Sequence, residues 1–189
     1  MNKKNFTILI LLVIATGIAI LTRFYKLGEA PKGLYLDEAG QGYSAYSILK
    51  TGKDEFGKNI PFVFRSFTDF KTPVYVYLIV PLIPIFGLTA FTVRLPSFIF
   101  SILTIPVLYL LIGELTKKLE IRNLKLEIVA SFLLATSPWH ILFGRTNFEC
   151  NVALFFFLAG VFFFYKALGN PKLLIISVLF FAIAIPSYH

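Results

Sequence analysis

The side chains with chemical reach fall into three short clusters: Asp37 with Glu38, Asp69 with Lys71, and Arg145 with Glu149. A carboxylate can take the proton from a hydroxyl that is turning into a nucleophile. A lysine can hold a phosphate as a point charge, and an arginine can hold one through paired N–H groups. Each cluster also has a plainer reading. Asp37 could be only a helix cap, Lys71 only a lysine reaching out to lipid head groups, and Arg145 and Glu149 only an ion pair four residues apart, worth about 0.2–0.5 kcal/mol. Asp69 fits either reading.

The first cluster opens the stretch Leu36 to Gly52, LDEAGQGYSAYSILKTG, which has the marks of a short helix. The spacing puts Asp37 at its N-cap and Glu38 in its first turn, where the helix dipole favours ionised carboxylates. Leu36, Ala39, Tyr43, Tyr46 and Leu49 share one face, so the helix is expected to lie flat on a membrane, apolar side down.

The rest of the chain supplies that membrane. Of 189 residues, 57% are hydrophobic, 22 are Phe and only 15% are charged, against about 25% charged in a typical soluble domain. Mean hydropathy is +0.79. The expected fold class is an all-α membrane protein of about five transmembrane helices, with amphipathic juxtamembrane helices in a long first external loop. The expected organisation is a single module: 5–23 as the first span, 24–91 as the external loop and 92–189 as the remaining spans. Those spans are the apolar runs Thr92–Gly113, Leu126–Phe143, Val152–Tyr165 and Leu173–Pro186. The chain stops at PSYH just after a span, which reads as the N-terminal part of something longer.

Lysine and arginine crowd the short loops at 116–125 and 166–172. Such loops belong on the cytoplasmic side, which puts the N-terminus in the cytoplasm and residues 24–91 and 137–151 outside. The topology closes only if Pro73–Gly87, interrupted by Pro81 and Pro84, is re-entrant or lies on the surface. If that segment spans, everything after it inverts. In this arrangement Arg94 is expected to anchor a span at the interface and His140 to sit in the aromatic belt beside Trp139. Cys150 is the only cysteine, so no internal disulfide forms. The +8 net charge forms no basic stripe and leaves no polar fold outside the membrane to carry one, so nucleic acid is not a partner. HExxH, GxSxG, P-loop and GxGxxG patterns are absent.

The order of these residues resembles a known group. A first span is followed by Asp37-Glu38 opening an external helix, Lys71-x-Pro73, Gly87 with Arg94-Leu95-Pro96-Ser97, and Ser137-Pro138 with Gly144-Arg145 and Glu149. This resembles the polytopic GT-C glycosyltransferases of the protein O-mannosyltransferase and lipid A aminoarabinose transferase type, the glycosyltransferase family 39-like group. The resemblance implies a polyprenyl- or dolichyl-phosphate-linked sugar as donor. It implies a glycan, lipid or protein as acceptor, transfer with inversion on the external leaflet of the cell membrane, and contact with membrane lipid. It casts Asp37, with Glu38, as catalytic, Lys71 and Arg145 as donor-phosphate ligands, and Glu149 and Asp69 as supporting acids. No organic cofactor is implied, and a divalent metal is left open: Phe70-Lys71-Thr72-Pro73 replaces the Glu-Lys-Pro-Pro of the aminoarabinose transferases, with Asp69 the one nearby substitute. The rival readings are a transporter or scaffold piece, against which the uncharged span interiors argue, and an inactive remnant of the enzyme.

Overall fold

The computed structural model describes residues 3–66, 69–119 and 124–188. Nine α-helices appear among them: α1 (Lys3–Phe24), α2 (Leu36–Thr51), α3 (Pro73–Ile79), α4 (Ile83–Phe86), α5 (Ala90–Lys118), α6 (Leu124–Thr136), α7 (Pro138–Gly144), α8 (Glu149–Ala167) and α9 (Leu173–Ala184). The long helix α5 is central and packs against α1, α6, α7 and α8, while α9 packs on α8. The protein is an all-α membrane protein.

Three helical segments are long and apolar enough to cross a bilayer, Phe6–Phe24, Ala90–Lys118 and Glu149–Ala167. A fourth crossing is available if α6 and α7, bent by 58° at their junction, count as one. The bend falls where Pro138 removes a backbone donor and crowds the preceding turn. The last expected span forms a shorter apolar helix, Leu173–Ser187, whose end coincides with Pro186. Among the described residues the count by length is therefore three, or four with the bent pair, and the fifth expected span is this shorter helix.

Pro73–Phe86 runs as one short apolar helix, in which α3 passes through a single 3-10 turn over Val80–Leu82 at Pro81 into α4, closed by Gly87 at φ 72°. At about 1.5 Å per residue these pieces together reach roughly 21 Å, short of a hydrocarbon core of about 30 Å. Their buried face, Tyr75, Val76, Ile79 and Ile83, joins Ala45, Phe64, Val93 and Val152 in one core. A two-stranded antiparallel ribbon that the sequence reading lacked precedes it, β1 (Phe64–Ser66) on β2 (Asp69–Lys71), with Phe64 opposite Lys71.

The stretch Arg94-Leu95-Pro96-Ser97 is the hub of the packing. Pro96 lies inside α5, where proline interrupts the regular ladder. The Tyr75 hydroxyl enters there, donating to the Val93 carbonyl at 3.1 Å and accepting from the Ser97 N–H at 3.1 Å. Ser97 Oγ donates to the Phe143 carbonyl at 2.8 Å and accepts from Asn151 Nδ2 at 2.9 Å. One turn of α5 thus holds α3, α7 and α8. Tyr75 is fully buried, so Tyr75→Phe is expected to lower unfolding stability by about 1–3 kcal/mol, the cost of orphaning buried backbone groups. Thermal or denaturant unfolding in a fixed detergent measures it.

Candidate functional site

Helix α2 turns its polar face into the protein and its apolar face outward. Its N-cap is Tyr35, not Asp37, and the capping carboxylate is that of Glu38, which accepts the Tyr35 N–H at 2.9 Å. Glu38, Gln41, Gly42 and Ala45 face the protein, whereas Leu36, Tyr43 and Tyr46 are exposed. The apolar face points away because the polar face has specific partners. At Gly42 the backbone approaches so closely that a Cβ would stand 2.8 Å from Val93 Cγ2.

The principal partner is Arg94. Its Nε donates to Glu38 Oε1 at 2.8 Å and its Nη2 to Glu38 Oε2 at 3.0 Å. Its remaining N–H groups go to the carbonyls of Leu27, Pro31 and Gly33 at 3.1, 3.1 and 2.7 Å. Glu38 Oε1 also accepts the Asn147 N–H at 2.9 Å. Both side chains are buried, at 1% and 2% exposure. Arg94 is therefore an internal strut rather than the interface anchor expected, and all five of its donors are used. Burial alone would raise the Glu38 carboxyl; the Arg94 hydrogen bonds, those from Tyr35 and Asn147, and the Arg94 charge together outweigh it and hold the group below its ordinary value.

Asp37, the next residue back, lies on the open side. Its Oδ1 is 3.2 Å from Lys71 Nζ, with Asp37 one-third exposed at 34% and Lys71 largely covered at 11%. The ribbon delivers Lys71 to this point, and α2 delivers Asp37. Two of the expected clusters, 34 positions apart in the sequence, thus share one face. The side chain of Asp69 lies outside the described residues. Glu149, at the start of α8, is buried and accepts a hydrogen bond from Gln41 Nε2 on α2.

Arg145 lies near Arg94, on the neighbouring stretch of the segment after α1. Its Nη1 donates to the carbonyls of Thr22 and Arg23 at 2.7 and 3.3 Å, and its Nη2 to that of Ala30 at 3.2 Å. Arg145 and Glu149 fall on either side of the α7–α8 break rather than on successive turns of one helix. Arg145 ties down the C-terminal end of α1, where carbonyls lack helical partners. Arg23 does the same for α6, donating to the carbonyls of Ala135 and Leu134 at 2.9 and 3.3 Å. It also reaches His140 Nδ1 at 2.8 Å. A guanidinium can only donate, so Nδ1 accepts and the ring proton sits on Nε2. His140 is buried, and the expectation of an interfacial belt position does not hold.

Sequence reasoning passed over Gln41, Asn147 and Arg23. Among the described residues, Gln41 Oε1 and both amide atoms of Asn147 are buried without hydrogen-bond partners. Asn147 borders a cleft of about 400 Å³, also lined by Lys32, Tyr35, Glu38 and Arg94. A polar residue three positions after Glu38 was the available signal for Gln41, but Asn147 carries none. For metal binding, among the described residues no three His, Cys, Asp or Glu side chains converge.

Removing one partner of a buried, hydrogen-bonded ion pair costs about 3–5 kcal/mol, so Glu38→Gln is expected to lose that much unfolding stability at neutral pH. Because folding lowers the carboxyl below its ordinary 4.5, its contribution is complete above that value and fades as pH falls through the folded-state value. The gap between wild type and Glu38→Gln is therefore expected to close below pH 4.5, as read from unfolding curves across acid pH.

A family model described as dolichyl-phosphate-mannose-protein mannosyltransferase matches residues 70–189. No curated protein matches the chain, and no solved structure does. The matched region contains Lys71, Arg94, Arg145 and Glu149, and the fold brings Asp37 and Glu38 to it from outside. With well over half of its sequence inside the match, this multi-pass membrane chain belongs to the dolichyl-phosphate-mannose-protein mannosyltransferase family, membrane glycosyltransferases of the GT-C type.

Proposed function

We propose that this site transfers a sugar from a polyprenyl- or dolichyl-phosphate donor to an acceptor hydroxyl, with inversion, on the external leaflet of the cell membrane. The observation that carries the reading is the 3.2 Å pairing of one-third-exposed Asp37 with largely covered Lys71. In the proposed step Asp37 accepts the proton of the acceptor hydroxyl. The new bond from that oxygen to the anomeric carbon forms as the bond from the carbon to the lipid phosphate oxygen breaks. Negative charge gathers on the departing phosphate, and Lys71 is placed to stabilise it.

The other residues take supporting roles. Glu38 is saturated by four donors, so it positions α2 rather than exchanging protons. Glu149 and Gln41 tie the same helix to α8. Arg145 holds the end of α1 and reaches the phosphate only through donors not given to backbone carbonyls. The cleft beside the Asn147 amide is lined by Glu38 and Arg94 but by neither Asp37 nor Lys71, so it is given no part in the transfer step. Exposed Leu34, Tyr35, Tyr43, Phe62 and Phe70 surround this region, a composition suited to a membrane surface where the donor's tail stays in the bilayer. The runner-up, a transport role, draws on the buried charges Arg23, Arg94 and Glu127. They lie toward helix ends rather than mid-span, which favours the transferase.

Asp37→Asn is expected to lower transfer by about 10²–10⁴-fold, the usual contribution of a general base, with donor binding retained. Lys71→Ala is expected to weaken donor binding as well. Purified protein, a polyprenyl-phosphate sugar and paired binding and transfer assays measure both. Wild-type transfer rates in Asp37→Asn would overturn the assignment.

A further inference from the structure

A second polar pocket lies at the opposite end of α5. Gly113 is some 28 Å along the helix from Arg94, at a rise of about 1.5 Å per residue, so the two ends serve opposite faces of a membrane. The cavity measures about 310 Å³ and is bounded by α5, α6 and α8. Glu127 of α6 lines it and is 3% exposed. Among the described residues its carboxylate has neither an ion-pair partner nor a hydrogen-bond donor. It fits because position 113 is glycine: a Cβ there would stand 3.1 Å from Glu127 Oε1.

A carboxylate so covered calls for a cationic or donor partner. The two lysines at the mouth, Lys117 and Lys166, are exposed and do not pair with it; Lys166 Nζ lies 5.3 Å from the centre of the Phe162 ring. Glu114 also lines the pocket and adds a second negative charge, so the cavity does not suit a simple anion. Toward the middle of the helices the lining turns apolar, with Leu110 one turn before Gly113 and Phe162 one turn before Lys166.

We propose that this pocket binds a phospholipid whose head group carries a primary amine beside its phosphate. The ammonium donates to Glu127, the phosphate meets Lys117 and Lys166, and an acyl chain runs along Leu110 and Phe162. A primary ammonium brings three N–H donors; a quaternary one brings none, and a glycerol head group brings no positive charge.

The test uses the whole chain in nanodiscs of phosphatidylcholine doped with equal small amounts of phosphatidylethanolamine and phosphatidylglycerol. The lipid retained after detergent extraction is quantified by mass spectrometry. Wild type is expected to enrich phosphatidylethanolamine about ten-fold over both others, the size of one charge-assisted hydrogen bond. Folded Glu127→Gln is expected to lose the preference over phosphatidylcholine, and Lys117→Ala with Lys166→Ala to reduce retention of phosphatidylethanolamine and phosphatidylglycerol alike. Water-soluble glycerophosphoethanolamine is expected not to compete at equal concentration, because it lacks the chain. Equal retention of the three lipids by wild type would overturn the proposal whether or not the variants fold. So would an undiminished preference in Glu127→Gln, and effective competition by the soluble head group would overturn the assignment to a lipid.

Discussion

The arrangement on the Asp37 face depends on the buried contact between Arg94 and Glu38. A guanidinium and a carboxylate taken out of water are costly unless every donor and acceptor is used, and here they are. Arg94 spends its donors on Glu38 and on the carbonyls of Leu27, Pro31 and Gly33, and Glu38 takes two further N–H groups from Tyr35 and Asn147. Four separate pieces of chain meet at this point: the segment after α1, the start of α2, the first turn of α5 and the link between α7 and α8. A half-satisfied version would destabilise all four, which makes the geometry all-or-none.

From that fixed point the placement of Asp37 follows. Glu38 pins the first turn of α2 inward, so the preceding residue must face the other way, toward the end of the ribbon. The ribbon itself is held by α3, whose Tyr75 hydroxyl sits inside the α5 ladder beside Pro96. Lys71 is thus referenced to α5 through Pro96 and Asp37 through Arg94, two residues apart on the same helix. The pairing of base candidate and cation candidate is a consequence of one turn of α5 rather than of flexible loops finding each other. The two further buried or half-buried arginines, Arg23 and Arg145, close helix ends that a membrane would leave unsatisfied.

Much of this was legible in the sequence and some was not. The apolar runs marked the helices, and the prolines at 81 and 84 marked the short helix with a 3-10 turn in its middle, because backbone chemistry alone decides both. The motif positions Asp37, Glu38, Lys71, Arg94 and Glu149 were visible as polar exceptions in an apolar chain. Their partners were not. Helical periodicity picked out the apolar face of α2 but not the role of the opposite face, which hydrogen bonding to Glu38 and the close approach at Gly42 turn into the protein. Arg94 and His140 looked like interface residues because residue type cannot tell a side chain reaching out to head groups from one turned inward to carbonyls. The ribbon at 64–71 is too short to register as a pattern, although it carries Lys71. Glu127 hides at the edge of an apolar run, where its burial depends on Gly113 of another helix.

Under the proposed function the Arg94–Glu38 strut holds Asp37 opposite Lys71 for catalysis as well as stabilising the fold. The most direct measurement is donor binding and sugar transfer side by side in Glu38→Asp, which keeps the charge but draws the carboxylate back by one methylene. Displacing a catalytic group by about 1 Å costs on the order of 10²-fold in rate. A loss of that size in transfer is expected, with donor binding within a few-fold of wild type. Wild-type transfer in folded Glu38→Asp, or an equal fall in binding and transfer, would contradict it.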